Sequence, residues 1–288
     1  MSLSVIIPAY NEAARLGETL PVVFDYMNRH VTGSEIIVVD DGSEDDTARV
    51  AEESFASSNT NGARLIRIEP NRGKGHAVRT GLLAARNSIA FFTDADLSTP
   101  ITETPKLIRP IQRGECDLTF GSRALDRSLI GVHQPWRREQ GGRVFNLIVK
   151  LATGLPFWDT QCGFKAFNMS VCRPVIEAGA IDRFGFDVEL LYVAHLAGLN
   201  LREIPVRWDH RTGTLDASGN YARDSLRMIQ EVQTIRQRVR HGLYDSAIAS
   251  ARTAFLVAAQ ERERELHHSA QPQAPSDGRR RKEMAVKQ

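Results

Sequence analysis

The sequence predicts an α/β fold built on a mostly parallel sheet with flanking helices. Short runs rich in Ile, Val and Phe alternate with segments of helical length through the first half. Those runs are continuously apolar, the pattern of strands buried on both faces. The 288 residues, 42% hydrophobic and 25% charged, suffice for one large core or two modest ones. Collagen-like, wholly disordered and disulfide-stapled classes are thereby excluded.

Strands are expected over 3–7, 35–39, 64–68 and 89–93, and helices over 12–28, 45–55, 74–87 and 103–109. The second helix follows Asp41-Gly42-Ser43, where Gly and Ser supply a turn and Glu44, Asp45 and Asp46 suit a helix N-terminus. The fourth is expected to stop at Pro110, which lacks the N–H that a helix interior needs. A strand over 117–120 then leads into Gly121-Ser122-Arg123 and a loop carrying Gly131, Pro135 and several basic residues. A helix over 143–152, a strand over 163–168, a helix over 187–197 and a strand over 202–208 follow. No composition break divides residues 1–240, which are assigned to one domain. Its last helix, 221–240, sets Met228, Val232, Ile235 and Val239 on one face. Residues 241–268 are assigned to a C-terminal helix and 269–288 to a disordered basic tail with the cluster Arg279-Arg280-Arg281-Lys282. That cluster reads as solvated, with attachment to anionic lipid as the alternative.

Charge and cysteine content narrow the function. The 37 basic and 35 acidic residues leave a net charge of +2, too balanced for a nucleic-acid binder held by counterion release. Three cysteines, Cys116, Cys162 and Cys172, form neither a metal-binding spacing nor an even disulfide set, which fits a reducing compartment. No targeting segment is read in the opening residues, so a cytoplasmic location is expected. The most apolar stretch, 144–158, is interrupted by Asn146 and Lys150 and falls short of the roughly 20 residues that span a bilayer. Any membrane contact is expected to be peripheral, on the cytoplasmic face.

The chemistry gathers at strand ends. Asp94-Ala95-Asp96 follows the strand over 89–93, where open α/β sheets bind ligands. Two such carboxylates can converge on a hard divalent cation that also meets phosphate oxygens. Pro8-Ala9-Tyr10-Asn11-Glu12 ends the first strand and Asp40-Asp41-Gly42-Ser43 the second. Three acidic strand ends in one domain crowd like charges unless a cation and a polar ligand compensate them. Helix capping is the competing reading for Asp40, Asp41 and Ser43, and one of them is expected to serve it. Gly73-Lys74-Gly75 lacks the third glycine of a dinucleotide loop and does not follow the first strand, and it is not a P-loop.

In order and spacing, Pro8 to Glu12, Asp40 to Ser43, Asn71-Arg72-Gly73-Lys74-Gly75 and Asp94-Ala95-Asp96 resemble glycosyltransferase family 2. The resemblance implies a GT-A (Rossmann-like) fold, a nucleotide-sugar donor and Mg²⁺ or Mn²⁺ as cofactor. Gly121-Ser122-Arg123, Asp159 to Lys165 and Phe186 to Leu191 resemble its dolichyl-phosphate β-glucosyltransferase branch and the bacterial polyprenyl-phosphate relatives. By resemblance, Pro8, Tyr10, Glu12 and Asp41 line the base and ribose pocket, and Lys74 reaches the base or a phosphate. Asp94 and Asp96 meet ribose, metal and diphosphate, with Ala95 leaving room. Arg123, Arg138 and Arg143 match the arginines that contact the acceptor phosphate; Arg138, in a loop, reads equally as a surface residue. Asp159 and Gln161 are expected to bond sugar hydroxyls.

Cys162 reads as a buried small residue, because no His partner is evident. Asp187 and Glu189 diverge on a helix, and either can pair with an arginine. Relatives carry a lysine where this chain has Leu215; Arg211 is a nearby substitute. The implied reaction is inverting transfer of glucose from UDP-glucose to a polyprenyl phosphate at a membrane surface, with no nucleic acid involved. GDP-mannose as donor, another acceptor, or nucleotide-sugar binding without turnover are the alternatives. The segments around 143–155 and 221–240 read either as membrane-facing or as core-packing helices.

Overall fold

Strands β1 (Ser4–Ala9) and β2 (Glu35–Asp40) are buried along their whole length, as apolar runs covered on both faces must be. A computed structural model describes residues 2–58, 62–211 and 221–269. In it β3 (Ala63–Arg67) pairs with β2, and β4 (Ile89–Thr93) pairs with β1, all in parallel. With β5 (Leu118–Ser122), β7 (Phe164–Asn168) and β8 (Leu201–Pro205) the sheet order is β3-β2-β1-β4-β7-β5-β8. β7 runs antiparallel to β4 and β5, while β8 is parallel to β5. The mostly parallel sheet is therefore present, with one reversed strand. A two-stranded ribbon of β6 (Ile130–Val132) and β9 (Trp208–Asp209) stands beside it.

The helices are α1 (Ala13–His30), α2 (Thr47–Ser57), α3 (Lys74–Ala84), α4 (Thr104–Gln112), α5 (Trp136–Thr153), α6 (Met169–Glu177) and α7 (Phe186–Leu196), followed by α8 (Tyr221–Arg240) and α9 (Asp245–Ser269). Strand periodicity divides the core between the two faces of the sheet. Val5, Ile7 and Phe91 meet Leu16, Leu20 and Phe24 of α1 on one side. Ile6 and Phe92 join Val78, Leu191, Val232 and Ile235 on the other.

Several elements depart from the expectation. α4 runs through Pro110 to Gln112, because only the last turn is affected and the Pro110 carbonyl accepts from the Glu115 N–H. α5 begins at Trp136, not residue 143, so Arg138 stands on its first turn rather than in a loop. Gly141 and Gly142 face open space there, and their low helix propensity is overridden. α6 is a helix that the sequence reading lacks; Asn168 caps it by accepting from the Ser170 N–H. The strand expected over 202–208 splits into β8, on the main sheet, and β9. The α8 face with Val232 and Ile235 packs into the core, while α5 leaves Val144, Leu147 and Leu151 exposed. Among the described residues no helix is long and apolar enough to cross a membrane. Leu215 and the basic cluster Arg279-Arg280-Arg281-Lys282 lie outside the described residues.

The chain runs outward from β1 to β3 and then returns past β1 to β4. The switch between those two directions lies at the carboxyl ends of β1 and β4, where open α/β sheets form ligand crevices.

Candidate active site

A cleft of about 310 Å³ opens at that switch point. Pro8, Tyr10 and Glu12 reach it from the end of β1, Asp41 from the end of β2, Lys74 from the start of α3, and Asp94, Ala95 and Asp96 from the end of β4. All eight residues expected at the nucleotide sugar thus line one cavity. Tyr10 is 42% exposed at its edge, an open aromatic face. Asp41 is buried and accepts from Asn71 Nδ2 and from the Arg72 and Gly73 N–H groups, so it fixes the 71–73 loop. Asp40 accepts from the Ser43 N–H and closes a turn, and the Ser43 hydroxyl accepts from the Asn11 N–H. None of the three caps α2, which begins four residues after Ser43.

The glycines beside Lys74 have a steric reason distinct from phosphate cradling. A Cβ on Gly73 would lie 2.5 Å from the Asp182 carbonyl, and one on Gly75 2.6 Å from that of Ile181. They admit the backbone of the 179–185 segment, which brings Arg183 and Phe184 into the cleft. Arg72 and Arg79 both donate to the Asp182 carboxylate. Those two cleft residues escape sequence reading, since they belong to no strand end.

Asp94 and Asp96 both line the cleft. Asp94 Oδ1 is 2.6 Å from Lys74 Nζ, and Asp96 Oδ1 accepts from the Ser98 N–H. Burial, and then the Asp94 charge, raise the Asp96 carboxyl above its ordinary value. Burial raises Glu12 as well; Arg15 opposes this, while Asp96 and Asp94 add to it. Such crowding fits a divalent cation. Among the described residues no three His, Cys, Asp or Glu side chains can enclose one unaided. An ion here would complete its shell with phosphate oxygens and water, as hard cations do at nucleotide sites.

A second cavity of about 450 Å³ is lined by Arg123, Arg127, Arg138, Arg143 and Lys150 together with Ile130, Leu147, Phe157, Trp158 and Trp208. Its charge is cationic and its walls are apolar. Arg143 lies 3.3 Å from Glu139 and is half exposed. Arg123 is held from β5 by Asp159: Nε donates to Oδ2 at 2.7 Å and Nη2 to Oδ1 at 2.8 Å. The Asp159 oxygens also take the Arg123 and Gln161 N–H groups. Asp159 is only 2% exposed, and both of its carboxylate oxygens are engaged by Arg123. Gln161 lines neither cavity; its Nε2 donates to the Phe184 carbonyl at 3.2 Å.

Glu203, unremarked in sequence, orients this corner by accepting from Ser122 Oγ and the Trp158 and Asp159 N–H groups. Asp187 pairs with a lysine rather than an arginine: Lys165 Nζ, wholly buried, is 2.6 Å from its Oδ1 and donates to the Cys162 carbonyl. Glu189 likewise accepts from the Ala180 and Ile181 N–H groups and from the Tyr244 hydroxyl instead of pairing with an arginine. Burial pushes the Cys162 thiol up to about 12, consistent with an inert core residue.

The glycosyl transferase family 2 model matches residues 4–175, more than half of the chain and every strand that carries the donor cleft. The chain belongs to glycosyl transferase family 2. Within the family it is 31% identical over 253 residues to the dolichyl-phosphate beta-glucosyltransferase of Dictyostelium discoideum, covering 84% of this chain and 76% of that one. It is 36% identical over 228 residues to the Drosophila melanogaster protein of that name, with coverage of 74% and 69%. Among solved structures it is similar to glucosyl-3-phosphoglycerate synthase from Mycobacterium tuberculosis in complex with Mn²⁺, UDP and glucosyl-3-phosphoglycerate. The TM-score is 0.58 at 23% identity, covering 82% of this chain and 80% of that one. That likeness establishes the GT-A fold expected of a family 2 member.

Proposed function

We propose that the protein transfers glucose from UDP-glucose to a dolichyl-type polyprenyl phosphate with inversion at the anomeric carbon. The observation that carries this reading is an acidic cleft and a cationic, apolar-walled cavity joined through the 159–163 segment, where Asp159 holds Arg123 at one end and the Gly163 carbonyl accepts the Asp94 N–H at the other. Relatives at 31–36% identity named dolichyl-phosphate beta-glucosyltransferase support it.

Tyr10 offers its ring to the base, and Glu12 and Asp41 offer oxygens to the ribose side of the cleft. Asp94 and Asp96 would hold Mg²⁺ or Mn²⁺, which when bound offsets the charge on the departing diphosphate. The acceptor phosphate arrives ionised, so its attack needs positioning and charge stabilisation more than a general base. As its oxygen bonds to the anomeric carbon, the bond from that carbon to UDP breaks on the opposite side. Arg123 keeps unused N–H donors while Asp159 fixes its plane, and Arg138 and Arg143 add positive charge around the entering phosphate. The apolar wall takes the first part of the prenyl chain, and the exposed apolar face of α5 meets the membrane surface.

Transfer from radiolabelled UDP-glucose to a short polyprenyl phosphate, with and without chelator, tests the reading. Lipid-linked glucose should form only with metal and fall at least about a hundredfold in Asp96→Ala. Transfer from GDP-mannose alone, transfer to soluble acceptors alone, or full activity in Asp96→Ala would overturn it.

A further inference from the structure

The Asp94 carboxylate already has a cation. Lys74 Nζ lies 2.6 Å from Oδ1, and both side chains are about one-third exposed or less, at 27% and 33%. The pair is built rather than incidental. Lys74 opens α3 between two glycines that admit the 181–183 backbone, so its Cα is fixed from behind. Asp94 sits against Gly163, whose carbonyl accepts the Asp94 N–H, and a Cβ at Gly163 would fall inside the Asp94 carboxylate. Asp96, two residues on, has no ion-pair partner among the described residues. Its Oδ1 accepts from the Ser98 N–H, and Glu12, which lines the same cleft, is paired with Arg15.

We propose that Lys74 is a tethered stand-in for the divalent cation. In the free protein its ammonium neutralises Asp94 and keeps the ion away. A divalent ion at Asp94 would stand close to that ammonium, a like-charge contact that weakens its binding. A nucleoside diphosphate changes the balance, because its phosphate oxygens can take the ammonium and supply further ligands to the ion. Lys74 then moves from Asp94 to the diphosphate, and metal and nucleotide enter together. The cleft is thereby kept from filling with metal alone, and empties of metal when UDP leaves. This rests on reading Asp94 and Asp96 as cation ligands, but not on which sugar or acceptor is used.

The test measures Mn²⁺ uptake by the full chain from the electron paramagnetic resonance signal of the free ion, with and without UDP. Wild type, Lys74→Met and Lys74→Arg are compared after their thermal unfolding shows that each is folded. Wild type should bind Mn²⁺ weakly alone and much more tightly with UDP. Lys74→Met should bind Mn²⁺ alone at least about tenfold more tightly than wild type and gain less from UDP, whereas Lys74→Arg, which keeps the charge, should follow wild type. If Lys74→Met binds Mn²⁺ alone no more tightly while UDP still promotes uptake by wild type, the stand-in role is wrong and the metal site stands. If none of the three takes up Mn²⁺ even with UDP, the metal reading fails and the stand-in role falls with it.

Discussion

Gly163 shows how much a single absent side chain can decide. The Asp94 carboxylate occupies the space that any Cβ at residue 163 would need. Gly163→Ala should therefore leave the protein folded but displace Asp94, with transfer activity lower by on the order of a hundredfold, the usual cost of misplacing a reacting group by about 1 Å. Circular dichroism checks the fold and a transfer assay checks the loss; full activity would mean that the position of Asp94 does not matter. The cysteines yield a second expectation at this scale. All three are buried and unpaired, and burial pushes the thiols of Cys116 and Cys162 up to about 11 and about 12. A thiol reagent at pH 8 should label none of them in the native protein and all three in denaturant. Rapid native labelling would contradict the packing around β5 and β7.

At the scale of elements, the 179–185 segment ties the C-terminal helices to the cleft. Glu189 of α7 accepts from its Ala180 and Ile181 N–H groups, and Glu231 of α8 from its Gly185 N–H at 2.7 Å. Glu231→Ala should free the end of the segment that carries Arg183 and Phe184. The KM for UDP-glucose should rise several-fold with little change in kcat, and stability should fall by about 1–3 kcal/mol, the cost of an unmet buried N–H. A lower kcat at unchanged KM would place the segment in catalysis instead. α5 supports a different expectation. Val144, Leu147 and Leu151 are exposed, Trp136 and Trp158 are 73% and 58% exposed near its two ends, and Arg143 and Lys150 stand among them. If this face meets anionic lipid, Leu147→Ser with Leu151→Ser should weaken sedimentation with phosphatidylserine vesicles at least about tenfold without loss of fold.

These elements also mark what could be read from the chain. Strands β1, β2 and β4 were legible because continuous burial makes a continuous apolar run, and the residues expected at the donor cleft stand at their carboxyl ends or at the head of α3. The start of α5 was hidden by Gly141 and Gly142, and the 179–185 segment by having no periodicity at all. Asp159 belongs to a motif that is legible in the chain, but its pairing with Arg123 is not, since only the fold brings the two together from 36 residues apart.

Across the whole molecule, a net charge of +2 conceals ion pairs that hold separate parts of the chain together. Asp159 joins the approach to β7 to the end of β5 through Arg123, and Asp182 joins the 179–185 segment to α3 through Arg79 and to the preceding loop through Arg72. Burial alone would raise both carboxyls, but the guanidinium partners override it and hold both below the ordinary value of 3.8. A carboxyl depressed in the folded state adds stability above its unfolded pKa and loses it as pH falls toward the folded one. Asp159→Asn should thus cost about 3 kcal/mol at pH 7, where it leaves Arg123 without its partner. The gap from wild type should stay level down to about pH 5 and narrow below about pH 4, as Asp159 takes up a proton in the unfolded wild-type chain before it does in the folded one. Urea denaturation of both proteins from pH 7 to pH 3 measures it. A gap that stays constant to pH 3 would mean that Asp159 contributes through shape rather than charge, and the coupling of β5 to the β7 approach would then rest on Glu203 and its three hydrogen bonds.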